Sequence, residues 1–205
     1  MAAPLLVGRS SSHFTRVARM FALELEVPFE FRPVLDLTTL DAAAYGENPA
    51  LKIPTWVDEQ GPLFGAENIC RALLRRSEKA ATVVMRGDVP SRVVANAEEL
   101  TLHVMGSGVS VIMAKTTGGG NVPAKVTASM HNSLRYLDEV LGTALASLPQ
   151  DRLTSFLEVT LFCVTTHLKF REIMDVSEFR QINAFCQGFA ERESARATTY
   201  RFDPA

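Results

Sequence analysis

Hydrophobic positions in the first 76 residues alternate between strand-like and helix-like spacing. Short apolar or alternating runs predict strands at residues 5–7, 28–34, 54–57 and 62–64. Apolar residues three and four positions apart predict helices at 14–25 and 66–76, with a short helix at 39–45. The resulting order, βαβα-ββα, predicts parallel strands joined by a crossover and a closing antiparallel hairpin.

After residue 76 the strand signals fade and long helical patterns replace them. Helices are predicted at 90–115, with an interruption at Gly106 and Gly108, and at 125–145, 156–170 and 178–191. A glycine-rich loop is predicted at 116–123, and the tail 192–205 is predicted to be irregular. The pattern therefore predicts an α/β domain (1–76), a linker (77–88) and an all-helical domain (89–205).

Composition excludes several classes of protein. The 205 residues are 47% hydrophobic and 21% charged, with a formal net charge of −2, so neither nucleic acid nor an anionic membrane is an expected partner. No run approaches the roughly 20 apolar residues of a membrane span. Three scattered cysteines indicate reduced thiols and a cytoplasmic location rather than a disulfide framework. His103, His131 and His167 show no metal-ligand spacing, so no metal is expected.

The strongest local signal combines the segment 48–56, NPALKIPTW, with the segment 65–69, GAENI. A cis bond before Pro54, which opens a strand, would turn the backbone N–H and C=O of Ile53 outward, where an extended peptide can pair with them. Glu67 and Asn68 begin the next helix, whose N-terminus favours a carboxylate. The alternatives are an edge-strand proline and a simple helix cap.

At this point the sequence resembles the soluble glutathione transferase superfamily, most closely its bacterial members. The resemblance is carried by LLVGRSSSHFTRV (5–17), NPALKIPTW (48–56), ENI (67–69), SFLEV (155–159) and ERESARAT (191–198). It implies a thioredoxin-like βαβαββα N-terminal domain that binds glutathione, followed by an all-helical domain. It also implies a cytoplasmic homodimer.

The resemblance implies roles for five residues in glutathione binding. The backbone of Ile53, before a cis Pro54, would bind the cysteinyl unit, and Glu67 and Asn68 would bind the γ-glutamyl end. Lys52 lies beside them and would meet a carboxylate. Most members of the family have Ser or Thr where this chain has Asn68, although Asn also offers an amide donor.

The residue that activates the glutathione thiol follows the first strand in this family. Spacing to Phe14 and Arg16 favours Ser12, with Ser11 and Ser10 as alternatives; a bare turn and helix N-cap is the structural alternative for all three. A hydroxyl that donates to the thiolate lowers a thiol pKa that is ordinarily about 8.5. His13, Met105 and Val109 are candidates for the acceptor pocket, against the alternatives of a solvated histidine and ordinary core packing.

The implied function is conjugation of glutathione, a co-substrate, to an electrophilic and mostly apolar small molecule, as in detoxification. Two alternatives stay open: a non-catalytic binding or scaffold protein with the same fold, and a glutathione-dependent peroxidase or thiol reductase. A thioredoxin-like disulfide oxidoreductase is disfavoured, because no cysteine follows the first strand.

Overall fold

A computed structural model describes residues 3–116 and 122–204 of the chain. Two compact units divide it: the first contains residues 1–81 together with 192–205, and the second contains residues 82–191. The domain boundaries at 76 and 89 remain predictions of the sequence. The tail 192–205, predicted to belong with the helices, clusters with the first unit instead.

The first unit is built on a four-stranded sheet. Its elements are β1 (Leu5–Gly8), α1 (His13–Glu24), β2 (Glu30–Pro33), a 3₁₀ helix (Ala42–Tyr45), β3 (Thr55–Asp58), β4 (Gly61–Phe64) and α2 (Ala66–Leu74), with a second 3₁₀ helix (Glu78–Thr82) at its edge. The strand order is β2-β1-β3-β4; β1 is parallel to β2 and antiparallel to β3, and β3 is antiparallel to β4. The predicted order is thus confirmed, with a 3₁₀ helix in place of the second helix.

The core of this unit follows from the alternation of side chains along β1. Val7 packs with Val34 and Tyr45 in one buried cluster, whereas its neighbour Leu6, also fully buried, points to the opposite face of the sheet. Helix α1 buries Phe21 along its apolar stripe and packs against α2. Buried side chains therefore cover both faces of the sheet.

The second unit is mainly helical. Its elements are β5 (Val83–Val84), α3 (Arg92–Thr116), α4 (Ala124–Ala146), β6 (Thr154–Ser155), α5 (Phe156–Phe170) and α6 (Arg180–Phe189). Helix α3 continues through Gly106 and Gly108, so the predicted interruption is wrong: a glycine inside a helix costs about 1 kcal/mol, which tertiary packing overrides. Residues 117–121 of the predicted loop lie outside the described residues.

Ser155 is the N-cap of α5. The backbone N–H of Glu158 donates to Ser155 Oγ at 3.1 Å, and that hydroxyl donates to Glu158 Oε2 at 2.7 Å. Arg152 holds both carboxylate oxygens of Glu158, at 2.9 and 2.8 Å. The cap orients a helix that is buried along most of its length. Within the described residues, no helix is both long and apolar enough to span a membrane.

The tail contains a short helix, α7 (Glu193–Ala197), which the sequence did not predict. An ion pair joins its start to the end of α1: Arg192 Nε and Nη2 donate to Glu24 Oε1 and Oε2 at 2.8 and 2.6 Å. Ser194 Oγ donates to the same carboxylate. Burial by itself raises the pKa of Glu24, but the hydrogen bonds from Arg192 and Ser194, with the charges of Arg192 and Lys79, hold that pKa below its usual value.

The lowered pKa of Glu24 predicts a pH-dependent contribution to stability. The folded-state pKa lies below the unfolded one, so the contribution is complete above the unfolded value of about 4.3 and disappears as pH falls through the folded value. Glu24→Gln should lower the free energy of unfolding by about 1–3 kcal/mol at pH 7, with the difference from wild type shrinking below about pH 4.

Urea unfolding of both proteins from pH 7 to pH 3 measures this difference, with Glu26→Gln as the matched control. Glu26 lies two residues away, and its ion pair with Lys79 is solvent-exposed. The control should therefore stay within about 0.5 kcal/mol of wild type. A Glu24→Gln difference that does not change with pH would contradict the pKa assignment.

Candidate active site

Strand register brings the three predicted site segments to one end of the sheet. Val7 in β1 is opposite Thr55 in β3, and Thr55 is in turn opposite Phe64 in β4. The carboxyl ends of β1 and β4 therefore meet the amino end of β3. The serine turn, the segment before β3 and the start of α2 all lie at this end.

A tight turn connects β1 to α1. The Ser12 N–H donates to the Arg9 carbonyl at 3.1 Å and closes the turn over residues 9–12. Ser12 is the N-cap of α1, with its Oγ accepting from the Thr15 N–H at 3.2 Å. Thr15 in turn accepts the Arg9 N–H through its own hydroxyl, at 3.3 Å. The turn and the first helical turn thus hold each other in place.

Burial separates the three serines that the sequence left as alternatives. Ser10 and Ser11 are buried, and Ser10 Oγ makes no hydrogen bond to a described residue. Ser12 is only half-buried, and its capping bond uses an oxygen lone pair rather than the hydroxyl proton. Ser12 is therefore the serine whose hydroxyl is both reachable and able to donate. It lies at a helix N-terminus without an acidic residue in its first turn.

The segment before β3 is shaped by a buried asparagine. Asn48 Nδ2 donates to the Lys52 carbonyl at 2.8 Å, and Asn48 Oδ1 accepts from the Ala50 N–H at 3.0 Å. The Ile53–Pro54 bond that follows is cis. Ile53 is half-buried and lies outside the strand ladder, and Lys52 is exposed. The segment therefore places Lys52 and Ile53 just before the amino end of β3.

The start of α2 lies beside this segment. The Gly65 N–H donates to the Pro54 carbonyl at 3.4 Å, which ties the helix start to β3. Asn68 Nδ2 donates to the Phe64 carbonyl at 3.0 Å, so the amide predicted to bind a ligand retains one N–H and its oxygen. Glu67 pairs with Arg71 at 3.0 Å, one helical turn later, and keeps further acceptor capacity.

The three candidates for an acceptor pocket differ in burial. His13, the first residue of α1, is buried against the Phe14 ring at 4.6 Å between centroids. Met105 is fully buried in the second unit, whereas Val109, one helical turn along α3, is 38% exposed. Val109 is the most exposed of the three candidates.

Two arginines lie on the helix that follows the serine turn. Arg16 and Arg19 lie on α1, and the Arg19 guanidinium stacks over the Phe31 ring at 4.8 Å. Burial, and then the neighbouring charge of Arg201, lower the pKa of Arg19, while the carboxylate of Asp203 opposes them. An arginine remains charged under such shifts. Among the described residues, no cluster of three potential metal ligands occurs.

Sequence reasoning missed the contacts that the tail makes with this end of the first unit. Arg16 Nη2 donates to the Ala195 carbonyl at 3.0 Å, and the Ser10 N–H donates to Asp203 Oδ2 at 2.8 Å. These partners are separated by 179 and 193 residues. No local pattern in the polar tail marks them.

Comparison with known proteins identifies the fold. Residues 6–81 match the family model described as glutathione S-transferase, N-terminal domain. No curated protein matches this chain significantly.

Many solved structures are similar to this chain, among them three bacterial proteins with bound ligands. A glutathione S-transferase from Methylobacillus flagellatus KT, solved with GSH bound, is 19% identical, with a TM-score of 0.77 over 97% of this chain and 100% of its own. A glutathione transferase family member from Pseudomonas fluorescens Pf-5, solved with bound glutathione, is 18% identical, with a TM-score of 0.80 over 97% and 100%. A glutathione S-transferase from Methylobacterium radiotolerans JCM 2831, in complex with glutathione sulfonate, is 16% identical, with a TM-score of 0.78 over 100% and 98%.

These similarities confirm the predicted fold class, a thioredoxin-like domain followed by a helical region. Residues 6–81 match the glutathione S-transferase N-terminal domain model, and the chain as a whole has the glutathione S-transferase fold.

Proposed function

We propose that this protein is a glutathione S-transferase that binds glutathione at the end of the sheet where β1, β3 and β4 meet. The observation that carries the proposal is the register of β1, β3 and β4. Because of this register, the serine turn, the Ile53 backbone and the start of α2 lie at the same end of the sheet. The solved relatives with bound glutathione or glutathione sulfonate support it as well.

Each part of glutathione has a partner of matching chemistry at this end of the sheet. The backbone N–H and C=O of Ile53 pair with the cysteinyl unit, as an added strand would. The Glu67 carboxylate binds the γ-glutamyl ammonium group, and Asn68 with the N-terminus of α2 binds its carboxylate. Lys52, which is exposed, meets the glycyl carboxylate.

Ser12 acts on the thiol. Its hydroxyl donates to the sulfur, and the N-terminus of α1 adds a favourable field, so the thiolate is stabilised relative to the thiol. The thiolate attacks an electrophilic carbon of a mostly apolar acceptor. A carbon–sulfur bond forms, the bond from that carbon to the leaving group breaks, and the leaving group takes its electron pair. The working form of the protein is a cytoplasmic homodimer.

Calorimetric titration tests glutathione binding with two changes that remove the same contact. Cysteinylglycine lacks the γ-glutamyl unit, and Glu67→Gln removes the charge that would bind it. We expect glutathione to bind Glu67→Gln about tenfold or more weakly than wild type, since a charge-assisted hydrogen bond contributes roughly 1.5–3 kcal/mol. Cysteinylglycine should bind both proteins equally weakly.

The matched control is Glu30→Gln, which removes an exposed carboxylate from β2 in the same unit. It should bind glutathione as wild type does. Wild type that fails to bind glutathione would overturn the proposal. Binding without turnover of a generic electrophile would instead identify a binding module, and turnover of a hydroperoxide alone would identify a peroxidase.

A further inference from the structure

The tail of the chain is attached to the first unit through a buried arginine. Arg16 Nε donates to Thr198 Oγ1 at 3.2 Å, and its Nη2 donates to the Ala195 carbonyl at 3.0 Å. The same guanidinium lies over the Tyr200 ring, 4.4 Å from its centroid. Because Arg16 lies in the first turns of α1, the tail is held next to the serine turn.

Beyond Tyr200 the tail reaches the turn itself. Asp203 Oδ2 accepts a hydrogen bond from the Ser10 N–H at 2.8 Å. Ser10 is 1% exposed, so water cannot easily replace this acceptor. Ser10 is also the second residue of the turn that the Ser12 N–H closes on the Arg9 carbonyl. Asp203 therefore fixes the second residue of the turn, and Ser12 is the last residue of the same turn.

The negative charge of Asp203 is not by itself useful at this place. A carboxylate near a thiolate raises the thiol pKa, which opposes activation. The charges of Arg201, Asp203 and Arg16 all act on Arg19. The hydrogen bond to Ser10, rather than the charge, is thus the feature that serves the site.

We propose that Asp203 is a positioning residue that, by accepting the Ser10 N–H, holds the serine turn so that the Ser12 hydroxyl points at the glutathione sulfur. The proposal rests on the proposed function. It makes the tail a part of the active site that lies 193 residues along the chain from the turn it supports.

Two variants of Asp203 separate a positioning role from a charge role. Loss of positioning raises the pKa of the bound thiol, whereas loss of the negative charge lowers it. Asp203→Ala removes both the acceptor and the charge, whereas Asp203→Asn keeps an acceptor oxygen and removes the charge. For a positioning role, Asp203→Ala should raise the pKa of bound glutathione and lower kcat/KM at pH 7 about three- to tenfold, and Asp203→Asn should restore at least half of the wild-type value. For a role of charge alone, both variants would lower that pKa.

A double-mutant cycle with Ser12→Ala shows whether Asp203 acts through Ser12. Asp203→Ala should lower kcat/KM in the wild-type background but change it less than twofold in the Ser12→Ala background. Glu193→Ala, which removes an exposed carboxylate from the same tail, is the matched control. Melting temperatures of all variants exclude unfolding as the cause; if Asp203→Ala does not fold, Asp203→Glu, which displaces the carboxylate by one methylene group, should give a smaller shift of the same sign.

The possible failures can be told apart. Wild type that binds no glutathione overturns the proposed function, and the role of Asp203 with it. Wild type that binds and turns over while Asp203→Ala keeps the same pH profile overturns only the role of Asp203. Independent, additive losses in the double mutant also overturn it, because Asp203 would then not act through Ser12.

Discussion

Ser12→Ala is expected to lower kcat/KM at pH 7 by about tenfold while changing glutathione affinity much less. The reason is that a hydrogen bond from the hydroxyl favours the thiolate over the thiol. A difference of one unit in the thiol pKa corresponds to about 1.4 kcal/mol, which one hydrogen bond to a charged group commonly supplies. The peptide part of glutathione keeps its contacts with Ile53 and the start of α2, so binding persists.

The pH dependence is the sharper measurement. Thiolate absorbance and conjugation of a generic electrophile, followed from pH 5 to pH 10, should both shift to higher pH by about one unit in Ser12→Ala. At high pH the variant should approach the wild-type rate, since the thiol ionises there without help. Ser147→Ala, which removes an exposed hydroxyl at the end of α4, should keep the wild-type profile.

The same experiment compares the three serines. Ser10→Ala and Ser11→Ala are made alongside Ser12→Ala, and the variant that shifts the profile identifies the hydroxyl that meets the sulfur. A wild-type profile in Ser12→Ala together with a shifted profile in Ser11→Ala would transfer the role to Ser11. A wild-type profile in all three variants would mean that the backbone N–H groups at the start of α1, rather than a serine hydroxyl, stabilise the thiolate.

The elements of the first unit were predictable because each is encoded locally. The stripe from Phe14 to Leu25 marks α1, and the serines before it mark its start. The turn residues 58–61 between two short strands mark the hairpin. Once these elements pair in the expected order, the register follows, and with it the meeting of the predicted site segments at one end of the sheet.

The parts that were not predictable depend on contacts between distant residues. Glu24 and Arg192 are separated by 168 residues, and nothing in either local sequence indicates the partner. The tail was predicted to be irregular because its apolar positions are few, yet Arg16 supplies the bonds that order it. Likewise, the burial of Ser10 and Ser11, which distinguishes them from Ser12, depends on the folded chain and has no local signal.

Gly8→Ala is expected to have the largest effect on stability among the variants of the serine turn. A Cβ atom on Gly8 would lie 2.4 Å from Thr15 Cγ2 and 2.6 Å from Thr15 Oγ1. Thr15 is fully buried and bonded to the Arg9 N–H, so its side chain has no free space to enter. Overpacking of this kind costs about 1–3 kcal/mol, which urea unfolding at pH 7 measures as a lower free energy of unfolding.

A second substitution tests whether the close approach of Gly8 and Thr15 causes the loss. Thr15→Ala removes both clashing atoms and should by itself cost about 1 kcal/mol, through the lost hydrogen bond to Arg9. The double variant should therefore be more stable than the sum of the two single losses predicts, by about 1 kcal/mol or more. Gly142→Ala is the control of opposite sign: nothing lies within 4 Å of its new Cβ in α4, and it should stabilise the protein by up to about 1 kcal/mol. Strict additivity of Gly8→Ala and Thr15→Ala would mean that the turn tolerates a side chain at residue 8 by moving, and that its geometry is not held by Thr15.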